Sequence, residues 1–454
     1  MTARWNQLTG LLASSVLALF GACAVFGQDR TAAGSQSDGS ATVQPPMDQA
    51  PIDPVTGSSG EKPRQYVIIG TDRQVSLNPL LKYQWLYGLD LTEGYDDGLI
   101  LFPEQKGVFY TLATPRVGLL ARTGKSEYIV QYTPTLSYFN NAGPTGIQAY
   151  QQGLAELHTE VNRIWGWDAI LTIEYGTYPL SLLSDFSFQS LDGITAVDAN
   201  SILLLTSQDY LNTDATVGGH WHISPRDTLT VSSIYNYVNF QPNNVPGSIA
   251  GHIHREEVTA TYTRSVTRRF NLLANGNAQH VFGPLACTTY GLQAGASYEI
   301  VRGTTISGTV GPQFGTGTCS ESVIVDYSGH LTTHLSRNWD AYLSAERTST
   351  GEIHSAVGSG VTETYGGGVS RRLAEHVDAR LDAGYIHVAS VPGLPSSFNA
   401  NGWFVSPQVG WVFSPSIQLN FRYSRIYQVV SGVDLDRNQG MVTLQWRPAS
   451  RSAN

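Results

Sequence analysis

From about Lys82 to Trp446 the chain alternates apolar and polar residues with a period of two, in segments of about 10 to 15 residues. In "SRNWDAYLSAERTS" (336–349), Trp339, Ala341, Leu343 and Ala345 share one parity, and Asp340, Tyr342, Ser344 and Glu346 share the other. An extended backbone sends successive side chains to opposite faces, so such a segment carries an apolar row backed by a polar one. The same division recurs in "IQLNFRYSRIY", where Ile417, Leu419 and Phe421 oppose Gln418, Asn420 and Arg422. It recurs again in "FNLLANGNAQHVF", where Phe270, Leu272 and Ala274 oppose Asn271 and Asn275.

The breaks between segments come in two kinds that take turns. Short ones are "TGKS" (123–126), "RIWG" (163–166), "SPRD" (224–227), "TRR" (267–269), "VRG" (301–303), "SRN" (336–338), "LAEH" (373–376) and "SPS" (414–416). Longer ones rich in Gly, Pro and Asn fall near 96–107, 140–148, 181–201, 242–251, 284–288, 316–321, 351–359, 392–401 and 432–437. Tight turns at one end and long loops at the other are the format of a transmembrane barrel. The expected fold is therefore all-β: an antiparallel, up-and-down, transmembrane β-barrel of about eighteen strands, with sixteen as the alternative count. An even count returns both termini to the same side.

Two-faced strands alone also suit a soluble sheet, whose apolar face is covered by a core. Aromatic placement decides. Trp165, Trp167, Trp221, Trp339, Trp411 and Trp446 all fall at or near short-turn ends, with Tyr and Phe near the opposite ends. Such rings settle at membrane interfaces, where the ring meets apolar chains and its polar atom stays wet. Arg follows the short turns too, at Arg122, Arg163, Arg226, Arg268, Arg269, Arg302, Arg337, Arg371 and Arg372.

Composition narrows the class further. Charged residues make up 14% of the 454-residue chain, well below the roughly 25% of a soluble domain, while Gly (46) and Tyr (23) are abundant. After residue 27 there is no apolar run of the length a spanning helix needs. A net charge of -9 without basic clusters gives no footprint for nucleic acid. Residues 1–27 read as an export signal, with Arg4, an apolar run from Leu11 to Phe26, and small residues before Gln28. "LFGAC" also approximates a lipid-attachment site at Cys23, with Phe20 a poor fit. Residues 28–65 are rich in Ser, Gly, Pro and Gln and read as a disordered periplasmic leader, too short to be a plug domain. The barrel domain is assigned to 66–454.

Two cysteines follow the signal. Cys287 and Cys319 sit in loops flanking one hairpin at its long-loop end; in an oxidising compartment they read as a disulfide, or else as two unpaired loop thiols. The polar parity carries Arg116, Glu156, Glu174, Asp214, Glu299, Asp326, Asp340, Glu346, Asp378, Arg380, Asp382 and Arg422 as pore-lining candidates. A mostly acidic wall would favour cations and neutral solutes; the same groups could equally pair with one another or fill the lumen. "HWH" (His220, His222) and "HIH" (His252, His254) place imidazoles at metal-ligand spacing, but with no third ligand evident no metal or cofactor is assigned. Neither a Gly-x-Ser-x-Gly elbow, a His-Glu-x-x-His helix nor a phosphate-binding Gly loop occurs in a workable context, so no catalytic residue is named and no enzyme is expected.

The unit "HLSRNWDAYLSAERTSTG", a Ser-Arg turn leading into an alternating strand with an aromatic start, resembles bacterial outer-membrane β-barrels of the porin type, including the barrel family found beside exopolysaccharide export genes. The final "NQGMVTLQW" looks like a barrel-assembly signal, with Gly440 one residue out of the usual spacing and "RPASRSAN" following. The resemblance covers residue 82 to the end. It implies an outer-membrane channel for small hydrophilic solutes, or an exit conduit for a polysaccharide, with both barrel termini periplasmic. Its partners would be outer-membrane lipid, lipopolysaccharide and the barrel-assembly machinery. The other readings are a barrel enzyme acting at the rim and a structural or adhesive barrel with a closed lumen.

Overall fold

The computed structural model describes residues 82–100, 106–140, 147–177, 209–240, 251–282, 286–317, 323–336, 338–350, 360–390, 399–430, 433–448 and 451–452, with a two-residue antiparallel bridge between 65–66 and 75–76. The export signal, the leader through residue 64, Cys23, Cys319, Arg337 and the segment 181–201 lie outside the described residues.

Eighteen strands form the barrel: β1 (Tyr83–Ile100), β2 (Lys106–Arg122), β3 (Ser126–Asn140), β4 (Ile147–Glu160), β5 (Trp165–Thr177), β6 (Asp209–Ser224), β7 (Asp227–Phe240), β8 (Gly251–Ser265) and β9 (Phe270–Phe282) make one half. The other half is β10 (Cys287–Val301), β11 (Thr304–Gly317), β12 (Val323–Ser336), β13 (Trp339–Thr350), β14 (Gly360–Ala374), β15 (Val377–Ser390), β16 (Asn399–Ser414), β17 (Ile417–Val430) and β18 (Val433–Trp446). Each strand pairs antiparallel with its neighbours in sequence, and β18 closes on β1 through Gln439↔Asp96 to Trp446↔Leu89. Closure leaves no open edge, which is how a sheet satisfies all its backbone groups where water is absent.

The short turns have a common local chemistry. Asn162, Ser224, Thr267, Ser336 and Ser414 each accept, through a side-chain oxygen, the backbone N–H two residues on. The side chain thereby replaces a ladder bond and reverses the chain. Beside five of the turns the register slips by one residue, between His222 and Ser224, Glu299 and Val301, His334 and Ser336, Arg372 and Ala374, and Val412 and Ser414. Between β10 and β11, Gly303 takes a φ of 82°, in the left-handed region that a side chain rarely tolerates.

Register fixes the faces. On β13, Trp339, Ala341, Leu343 and Ala345 point outward, and Leu343 is 60% exposed. Around the barrel the outward row is apolar in the middle, as at Val217, Leu292 and Val310, and aromatic at both ends. At the short-turn end stand Trp85, Trp165, Trp221, Trp411 and Trp446; toward the other end stand Tyr95, Tyr138, Tyr290, Tyr365 and Trp403.

Several strand boundaries differ from the sequence pattern. The expected loop at 96–107 is mostly strand, and the one at 432–437 begins a strand at Val433. Polar residues there have partners across the ladder: Asp96 takes Arg437, Asp97 takes Asn438, and Asp436 takes Arg425. Cys287 is the first residue of β10, buried against Val281, rather than a loop residue.

Candidate functional site

The inner wall is the polar row, and each pore-lining candidate lies on it. Arg116 on β2 pairs with Asp90 on β1, which is only 1% exposed and also accepts from Arg447 Nη2 at 2.9 Å. A carboxylate so far from solvent requires such compensation. Nearby, Arg437 Nε donates to Asp96 at 2.9 Å, Thr92 meets Thr443 at 2.9 Å, and Arg122 Nε donates to Glu127 at 2.9 Å. On β13 to β17, Arg380 pairs with Asp382 at 2.7 Å and donates to the Tyr342 hydroxyl at 3.2 Å. Asp378 faces Arg372 at 3.6 Å, and Arg422 Nε donates to Ser406 at 3.0 Å.

The opposite sector is richer in acids. Glu174 accepts from Gln152 at 2.9 Å and from Asn212 at 3.1 Å, and Asn236 continues the chain to Asn212 at 3.0 Å and to Asp214 at 3.3 Å. These amide–carboxylate links run across β4 to β7 and hold the wall's groups in fixed positions. Glu156 lies lower on β4, opposite Ile129 and Ile170. Glu299 falls on the inner row opposite Thr305; Asp326 is buried opposite Gly311; Glu346 lies opposite Ser328 and Thr364; and Asp340 pairs with His334.

The two His-x-His pairs part company. His220 and His222 face inward, with ring centroids 5.4 Å apart, while His252 and His254 face outward, stacked on Tyr237 and Tyr235. Among the described residues no group of three or more His, Cys, Asp or Glu is arranged to hold a metal ion.

Several inner charges went unnoticed in the sequence: Asp90, Asp96, Glu127, His158, Glu160, Asp168, Arg437 and Arg447. The signal was present as parity. In "AELHTE", Glu156, His158 and Glu160 stand two apart, and Gly88, Asp90, Thr92, Gly94 and Asp96 do the same along β1.

No family model matches the chain, and no curated protein matches it. Solved structures similar to it include OccAB4 of Acinetobacter baumannii, at TM-score 0.45 and 10% identity over 82% of this chain and 100% of that one. OpdQ of Pseudomonas aeruginosa is similar at TM-score 0.45 and 10% identity, over 81% and 98% of the two chains. The FrpB iron transporter of Neisseria meningitidis, F3-3 variant, is similar at TM-score 0.42 and 7% identity, over 80% and 82%.

Proposed function

We propose that this chain is an outer-membrane channel of porin type that passes small hydrophilic solutes, with a preference for cations and neutral molecules. The observation that carries the reading is the division of one closed barrel into an apolar outer band between aromatic girdles and an inner wall of charged and amide side chains. A band of that kind suits acyl chains bounded by headgroups. Eighteen strands enclose a cross-section wide enough for water as well as side chains. In this reading the short turns face the periplasm, both barrel termini lie there, residues 1–27 direct export, and 28–65 form a leader.

A sugar conduit needs open aromatic faces on which rings can stack. Of the inner-row rings, Tyr110, Tyr150 and Tyr210 are each 2% exposed, and Phe139, Tyr342 and Phe404 are half-buried, so few open ring faces line the wall, which favours passage of small solutes over polysaccharide export. The chain carries no Gly-x-Ser-x-Gly elbow, His-Glu-x-x-His helix or phosphate-binding Gly loop in a workable context. We therefore keep the non-enzymatic reading.

The test is reconstitution of the purified full chain in planar bilayers and in vesicles. Stepwise conductance, with sugar-driven swelling that falls as the solute grows, is expected. A barrel that seals without conducting would be the structural or adhesive alternative.

A further inference from the structure

Near the short-turn end of β4 to β6, three imidazoles and several carboxylates meet on the inner wall. His158 Nδ1 lies 3.0 Å from Asp168 Oδ1, and its Nε2 lies 3.3 Å from Glu160 Oε1. The other Glu160 oxygen faces His220 Nε2 at 3.6 Å, although β5 runs between their strands. They meet because the intervening residue in that row is Gly166. A Cβ there would come within 2.5 Å of His220 Cε1 and 2.9 Å of Glu160 Oε2. His220 is 6% exposed, and its Nδ1 is buried without a hydrogen-bond partner among the described residues. His222 completes the group, its Nδ1 at 3.0 Å from the Thr228 hydroxyl.

We infer that this cluster is the charge filter of the channel, a site that draws small cations while its histidines are neutral and loses that pull when they take up protons. The inference rests on the channel reading above and names the residues that set its selectivity. Imidazole is the side chain whose ordinary titration falls between about pH 5 and 8, and a proton bound at His158 or His220 lies against a carboxylate, cancelling the charge that attracts a cation, while one bound at His222 adds positive charge beside them.

The surrounding groups leave that charge to the histidines. Glu127 on β3, opposite His158, is taken by Arg122 from β2. Glu156 is the other ionisable group facing the cluster, from two residues up β4. Lys125 in the adjoining turn donates to the Val161 carbonyl at 2.9 Å, and Asp227 beside the next turn is held by Ser224, Tyr262 and Arg264. Arg163 and Arg226 lie in the turns themselves.

The experiment measures reversal potentials in a potassium chloride gradient at about pH 7.5 and about pH 5.5, above the ordinary carboxylate range. The wild-type ratio of cation to anion permeability is expected to fall by about threefold or more between the two, and the triple variant His158→Gln, His220→Gln, His222→Gln to keep its ratio within about twofold. An unchanged wild-type ratio, or an equal fall in the triple variant, overturns the inference while leaving the channel reading intact. Absence of conductance at either pH removes both. Should the triple variant fail to assemble, Glu160→Gln alone decides. A ratio at about pH 7.5 cut by about half supports the filter, and an unaltered ratio overturns it.

Discussion

At the scale of single residues, the inner wall is governed by what a charge requires once it leaves water. Asp90 is nearly inaccessible and holds two guanidinium groups, Arg116 and Arg447, that have come from β2 and from the chain beyond β18. Asp90→Asn would leave both arginines against a neutral amide. It is expected to lower barrel stability by about 3 kcal/mol, seen as a reduced urea midpoint in detergent by tryptophan fluorescence. A midpoint equal to wild type would mean that the two arginines are solvated some other way. Gly166 works by absence: its missing side chain is the space in which His220 and Glu160 meet. The parity of the charged residues was readable from the sequence, as Arg380, Asp382 and Arg422 show. Which acid finds which base was not, because Asp90 and Arg447 are brought together only by the closing seam.

At the scale of elements, each strand presents a lipid row and a wall row, and the two should respond oppositely to charge. Leu343→Arg, between Trp339 and Tyr365 on the outer surface, is expected to cost about 2 to 4 kcal/mol of folding stability in vesicles, because guanidinium in acyl chains has nothing to replace its water. Glu346→Arg on the inner row of the same β13 should leave stability near wild type and shift permeability toward anions. Equal losses for both would mean that the faces are assigned wrongly. Turns were legible because Ser, Thr and Asn before a reversal supply their own hydrogen bond, whereas strand ends at the opposite rim were not. Residues 432–437 have a loop's composition, yet Asp436 and Arg437 are drawn into the ladder by Arg425 and Asp96. Cys287 was misplaced for the same reason, since its burial against Val281 makes it strand. Its pairing with Cys319 remains a proposal, checked by peptide mass mapping with and without reductant. A peptide joined through both residues is expected, and free alkylated thiols at both would refute it.

At the scale of the whole molecule, the alternation of apolar and polar residues, the alternation of short and long breaks, and the place of tryptophan were written in the sequence. They pointed to an antiparallel barrel of about eighteen strands and to the parity of its wall, because a period of two and a tight turn are local properties of the chain. The tertiary structure decided what the wall does with its charges. Closing the sheet sets β1 against β18 and so places Arg437 and Arg447 on acids far away in sequence. It also aligns rows across β4, β5 and β6, where a glycine lets Glu160 and His220 meet across a strand and gathers histidines and carboxylates at one mouth. No local pattern specifies those meetings, because they depend on the register between strands, and register exists only once the sheet has formed.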